Sequence, residues 1–199
     1  MKKNIILFFL FFSFSSFSQN ISSGLYEDGL RLAIDTISKK ITGYYASYSG
    51  LDFETNKPKF SCIFYLEGKM IDSICQVETY FPSDKSRDFI QGKIQLLNNN
   101  KITLQLKNNH GGCLNIQNLV DEPVEFELEI QNKWTSVRYV VVDKTYFYSE
   151  KSIQKIKKSY LIKNNFVCID KIENEWAFCT FYGEKITSGW ILSKDLNSI

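Results

Sequence analysis

Histidine is nearly absent: His110 is the only one in 199 residues. With no CxxC pair and no HxxxH spacing, a transition metal would lack its usual nitrogen and sulfur ligands, so no metal and no cofactor is expected. The chain also lacks a GxSxG elbow, a P-loop and a GxGxxG turn opening a helix. A surplus of positive charge is missing too. The sequence holds 24 Lys and Arg against 22 Asp and Glu, and Lys2 and Lys3 belong to the extreme N-terminus, so the remainder balances at 22 against 22. A nucleic-acid binder gains affinity by releasing condensed counterions through a basic face, and no such excess is present. Nucleic acid is therefore not an expected partner. Lys151 to Lys163 is the one basic stretch, and it reads as a solvated loop. Long amphipathic helices are missing as well.

What the N-terminus does contain is a charged pair, Lys2 and Lys3, an apolar run from Ile5 to Phe12, and the small residues Ser16 and Ser18. These are the three parts of a cleavable signal peptide spanning 1–18, with the cut before Gln19. Eight apolar residues reach about 12 Å as a helix, far short of a hydrocarbon core about 30 Å thick. No cysteine follows the run to accept a lipid. The expectation is an exported protein, periplasmic or secreted, with no stable membrane insertion after cleavage.

From residue 19 onward nearly every segment is a short run of Ile, Val, Phe, Tyr and Thr broken by Gly, Asn or Asp. The fold class is all-β. An antiparallel meander, a sandwich or open barrel, is expected over 19–141, and a second domain over 142–199. Three hairpins are legible: LRLAIDT with KITGYYASY, FSCIFYL with MIDSICQVETYF about Gly68 and Lys69, and FIQGKIQLL with KITLQLK about Asn98 to Asn100. In the third, Ile102, Leu104 and Leu106 line one face while Thr103, Gln105 and Lys107 line the other. Val124, Phe126, Leu128 and Ile130 repeat the pattern. Between them Glu125, Glu127 and Glu129 line a wet face, and like Glu27-Asp28 and Asp121-Glu122 they give no basis for choosing a carboxylate pair for glycoside chemistry. The segment WTSVRYVVV either closes the first domain or leads into the second.

Five cysteines, Cys62, Cys75, Cys113, Cys168 and Cys179, are an odd number in a compartment that permits disulfides. A turn on Gly68 and Lys69 sets Cys62 opposite Cys75, a possible disulfide, and the hairpin FVCIDKIENEWAFC sets Cys168 opposite Cys179. A slip of one residue would send either pair to opposite faces.

One arrangement invites a catalytic reading. In NNHGGC, His110 stands three residues before Cys113, as base and nucleophile would in a thiol hydrolase. No orienting third group is identifiable, and the same residues are ordinary turn chemistry leading into a strand at Cys113. The chain is expected not to be an enzyme.

In the last third, TYFYSE at 145–150 precedes YLIKNNFVCIDKIENEWAFCTFYGEKITSGWILSKDL at 160–196. An aromatic first strand, a long polar loop, the Val167 and Ile169 strand, a turn to Trp176, then Gly189-Trp190-Ile191 before Lys194-Asp195-Leu196 follow one another in order. This arrangement resembles a bacterial SH3-like (SH3b) domain over about 55 residues. The resemblance implies a small five-stranded SH3-like barrel around Val167, Ile169, Ala177, Cys179 and Ile191. It turns Cys179 inward and Cys168 outward, against their pairing, and gives Gly189 a tight turn before the last strand. It also implies binding of a cell-envelope ligand, a peptidoglycan peptide or a protein, through an aromatic groove whose residues here would be Tyr146, Tyr148, Tyr160, Trp176, Tyr182 and Trp190. Tyr148 and Trp176 lead that set. The alternative is a secreted protein-binding inhibitor or immunity protein. Residues 19 to about 140 resemble only uncharacterised exported bacterial β-domains.

Overall fold

Period-two alternation becomes antiparallel sheet throughout the computed structural model, which describes residues 21–82, 88–98 and 100–198. The expected signal segment lies outside the described residues. The chain is all-β: eight strands close into a barrel and six more form a second sheet. Among the described residues no helix is long and apolar enough to cross a membrane.

The barrel is a meander of β1 (Gly24–Tyr26), β2 (Leu30–Ile34), β3 (Lys40–Asp52), β4 (Lys57–Ile71), β5 (Ile74–Tyr80), β6 (Ile90–Asn98), β7 (Lys101–Leu106) and β8 (Val124–Gln131). Short β1 pairs with both β2 and β8, and this closes the ring that the sequence left open. Closure removes the two free edges a meander would otherwise present. The interior is filled. Across two inward-facing rows glycine alternates with a large apolar residue: Gly24, Leu32, Gly43 and Leu66 in one, and Gly68, Val77, Gly92 and Leu106 in the other. A Cβ on Gly43 would stand 2.7 Å from Leu32 Cδ2, and one on Gly92 would stand 2.6 Å from Leu106 Cδ2. Small positions thus receive the side chains of their neighbours, which is how a narrow barrel packs without voids.

This packing overturns the expected Gly68 turn. Strand β4 runs through Gly68 to Ile71, and the reversal falls on Asp72 and Ser73, with Ile71 opposite Ile74 and Met70 opposite Cys75. Asp72 takes the left-handed backbone, φ 56°, that a tight reversal requires. Cys62 therefore lies beyond the reach of β5 and does not bond Cys75, which is a buried free thiol. The disulfide joins Cys62 to Cys113, 51 residues away. Cys113 does not open a strand. It begins a single 3-10 turn, Cys113–Asn115, after Gly112 in left-handed conformation at φ 83°. The β7–β8 connection so pinned lays Leu119 and Ile116 against the barrel core.

The second sheet has the order β11–β10–β14–β13–β12–β9, from β9 (Ser136–Tyr139), β10 (Lys144–Tyr148), β11 (Ile156–Ile162), β12 (Phe166–Glu173), β13 (Trp176–Tyr182) and β14 (Ile186–Leu192). Its core holds Val167, Ile169, Ala177, Cys179 and Ile191, joined by Val140, Phe147, Leu161 and Leu196. Six strands stand where five were expected, because β9, ahead of residue 142, pairs along β12. Gly189 sits in mid-strand opposite Cys179, not at a turn. The need there is space, since a Cβ would stand 2.9 Å from the Tyr148 carbonyl oxygen. Cys168 and Cys179 are both free and buried. Cys168 faces Thr180 and Ile169 faces Cys179, one residue off the expected register, so the two thiols point to opposite sides of the sheet.

A third apolar cluster joins the sheets. The outward faces of β2 to β5 offer Ala33, Tyr44, Tyr65 and Tyr80 to Trp134, Val137, Tyr139, Phe166 and Cys168. Tyr44 stacks on Phe166 at 4.6 Å. Thr42 Oγ1 accepts from the Val137 amide at 2.7 Å, and the Tyr65 hydroxyl donates to the Val137 carbonyl at 3.0 Å. Both backbone groups of Val137 are thus satisfied across the junction, as buried polar groups require.

Candidate functional site

Alternation along β13 sends Ala177 and Cys179 into the core and leaves Trp176 and Phe178 on the outer face. On the neighbouring β14, Trp190 pairs with Phe178 on one side and Tyr148 of β10 on the other. Three adjacent strands thereby present one aromatic strip. Phe178 and Trp190 meet edge-on at 5.3 Å between centroids, and Tyr148 and Trp176 at 5.0 Å. All four are partly exposed. Neighbouring strands lie about 4.8 Å apart, so the strip is roughly 10 Å wide, the scale of one sugar ring or a dipeptide.

Charge sits directly on it. The ammonium groups of Lys151 and Lys171 each lie 5.3 Å from the Trp190 ring centroid, within cation–π range. Glu173 holds both: its carboxylate accepts from Lys171 at 2.8 Å and from Lys151. These two hydrogen bonds hold the Glu173 carboxyl at about 2, well below the usual carboxylate range. Two fixed cations against one carboxylate leave the strip with a net positive edge.

The six residues expected to form a groove divide into three groups. Tyr148, Trp176 and Trp190 come together on the strip. Tyr146 and Tyr160 form a separate pair at the β10–β11 edge, 6.2 Å apart, beneath Lys144. Tyr182 is displaced: it packs on Trp134 at 5.6 Å, beside Arg31, where the sheet meets the barrel. Phe178, Lys151, Lys171 and Glu173 were missed. Phe178 was open to detection by its spacing of two from Trp176, whereas the lysines reach Trp190 only through the folded loop and the β12–β13 hairpin.

The His110 and Cys113 pair is not a catalytic dyad, because Cys113 is consumed in the disulfide. His110 instead stacks on Phe64 at 4.7 Å and bonds Thr79 Oγ1 at 2.7 Å. Thr79 Oγ1 donates to the Ile90 carbonyl, so it accepts from His110 Nε2–H. Burial lowers the imidazole to about 4. The ring is a neutral plug at one end of the barrel. Glu125, Glu127 and Glu129 are exposed on β8, and Glu127 pairs with Lys101 at 3.4 Å. Among the described residues no group of three or more His, Cys, Asp or Glu converges to hold a metal.

No protein-family model, curated protein or solved structure matches this chain.

Proposed function

We propose that this is an exported, non-catalytic binding protein whose second sheet, similar to an SH3b domain, takes a cell-envelope ligand on the Tyr148, Trp176, Phe178 and Trp190 strip. The observation that carries the reading is the partial exposure of two tryptophans on adjacent strands, with two lysines fixed over one of them. A sheet folding for stability alone turns such rings inward, and aromatics left on a rigid surface supply contact area at little cost in conformational entropy. The positive edge favours a ligand with carboxylates, such as a peptidoglycan stem peptide.

The test is co-sedimentation of the protein lacking residues 1–18 with purified peptidoglycan, beside folded Tyr148→Ala and Trp176→Ala variants. Binding by the wild type, reduced at least tenfold in both variants, is expected. Equal retention of all three, or of none, overturns the reading. A second reading, a protein-binding inhibitor, is favoured by the far part of β3 and β4. Beyond Tyr45 and before Tyr65 these strands pair only with each other, and past the Cys62 disulfide they run out as a short two-stranded arm with Phe53 90% exposed near its tip. An inhibitor would stay soluble in the sedimentation assay and form a stoichiometric protein complex lost on Phe53→Ser.

A further inference from the structure

The junction between barrel and second sheet contains a cleft of about 590 Å³, separate from the tryptophan strip. Its lining includes Arg31, Lys163 and several aromatic side chains and, among the described residues, no carboxylate. Arg31 projects outward from β2, and its guanidinium lies between two rings, 5.1 Å from the centroid of Tyr44 and 5.0 Å from that of Tyr182. Arginine at a protein junction ordinarily meets an acid. Here, among the described residues, the side chain forms a single long hydrogen bond, from Nη1 to the Gly29 carbonyl at 3.4 Å, and Nε, shielded from solvent, meets no acceptor. Rings clamp the guanidinium plane while its donor capacity is left largely unspent, and an unmet buried donor is costly.

We propose that this cleft binds a small carboxylate ligand with a ring or apolar body, the carboxylate on Arg31 and the body against Tyr48 and Phe81. Four lines of observation converge. The guanidinium is a planar fork matched to a carboxylate, Arg31 lines the cleft, and among the described residues its Nη2 has no protein acceptor. Lys163 adds a second positive charge to the lining, with no acid among the described residues that line it. Tyr48, 56% exposed, and Phe81, 39% exposed, give the cleft apolar surface still open to contact. The volume falls within the range of small-molecule sites, which favour junctions between domains. A carboxylate seated there would pair an arginine that sits between two rings and meets no acid among the described residues. The site is distinct from the strip on β10, β13 and β14 and shares none of its residues.

Benzoate and its neutral isostere benzamide are suitable probes, titrated into ¹⁵N-labelled protein lacking residues 1–18 and followed by amide chemical shifts. A nine-atom ligand of ordinary efficiency binds with Kd on the order of 1–10 mM. The expected result is saturable shifts around Arg31, Tyr44, Phe166 and Tyr182 with benzoate, and binding at least tenfold weaker with benzamide. Arg31→Gln should weaken benzoate at least tenfold. Because that change also removes a contact between the sheets, Lys163→Gln, in an exposed loop, is the companion variant, with about threefold weakening expected. Equal affinity for benzamide, indifference to both variants, or no shift in the cleft at ten times the expected Kd each overturns the proposal.

Discussion

The barrel and the second sheet use aromatic residues in opposite ways. In the barrel, Tyr26, Tyr45, Phe64 and Phe126 are fully buried inside, and the outward Tyr44, Tyr65 and Tyr80 are covered by the second sheet. In the second sheet the core is mostly aliphatic, with Phe147 its one fully buried ring, while Tyr148, Trp176, Phe178 and Trp190 lie outside that core, partly exposed. The closed barrel has every strand paired and its interior filled, so its rings serve packing. The smaller sheet leaves these large side chains outside its own core and only partly covered, giving up a fraction of the hydrophobic stabilisation that full burial would bring. The difference divides scaffold from binding surface.

The sharpest way to break that division is to remove the bond that braces the barrel. Cys62→Ser with Cys113→Ser releases a 51-residue loop in the unfolded chain and should cost about 4 kcal/mol. Urea unfolding with and without the pair reads this directly, and a loss under 1 kcal/mol would mean that the plug is held by packing alone. Trp176→Ala, the sedimentation variant, should by contrast shift the unfolding midpoint much less, since its ring lies outside the core. The next largest effect tests the junction. Thr42→Val removes the acceptor of the buried Val137 amide, and leaving that donor unmet should cost about 2 kcal/mol. Amide exchange should then accelerate in β9 more than in β6 or β7. Uniform acceleration would show that the two sheets open as one unit.

The smallest expected effect is one of pH. In the unfolded chain the His110 ring takes a proton near 6.5, but in the fold only near about 4, because burial disfavours the cation. Between those values the unfolded chain binds more proton, so stability is full above about pH 6.5 and falls as pH drops toward 4. Since the ring is partly exposed, the loss should be about 1–2 kcal/mol. His110→Gln, which keeps a donor for Thr79, should flatten the change in urea midpoint between pH 7 and 5. The same slope in both proteins would assign it to other groups.

Much of this architecture was legible in the chain. Period-two patterns located Ile102, Leu104 and Leu106 on the barrel interior, and the SH3b-like spacing named five residues of the second core, all of which lie in it. Gly68 misled because a glycine between two β-runs reads locally as a turn. Only the ring of strands reveals it as a gap filled by Val77, whose Cγ1 would stand 2.9 Å from an added Cβ. The two errors are linked: moving the turn to Asp72 also moved Cys62 away from Cys75. Tyr182, a groove residue by the resemblance, was misplaced for a similar reason: its even spacing from Trp176 puts both on one face of β13, but nothing local tells that this end of the face lies against the barrel.

By itself the sequence determined which residues alternate inward and outward, because that pattern depends on backbone pleating and on nearest neighbours along the chain. It also determined the charge balance and the scarcity of metal ligands. The tertiary structure alone decided closure through β1 and β8, the bond from Cys62 to Cys113, the lysines over Trp190 and the clamp on Arg31. Each of these joins residues far apart in sequence, and their meeting depends on the register of every intervening strand, a sum of packing terms that no local pattern contains.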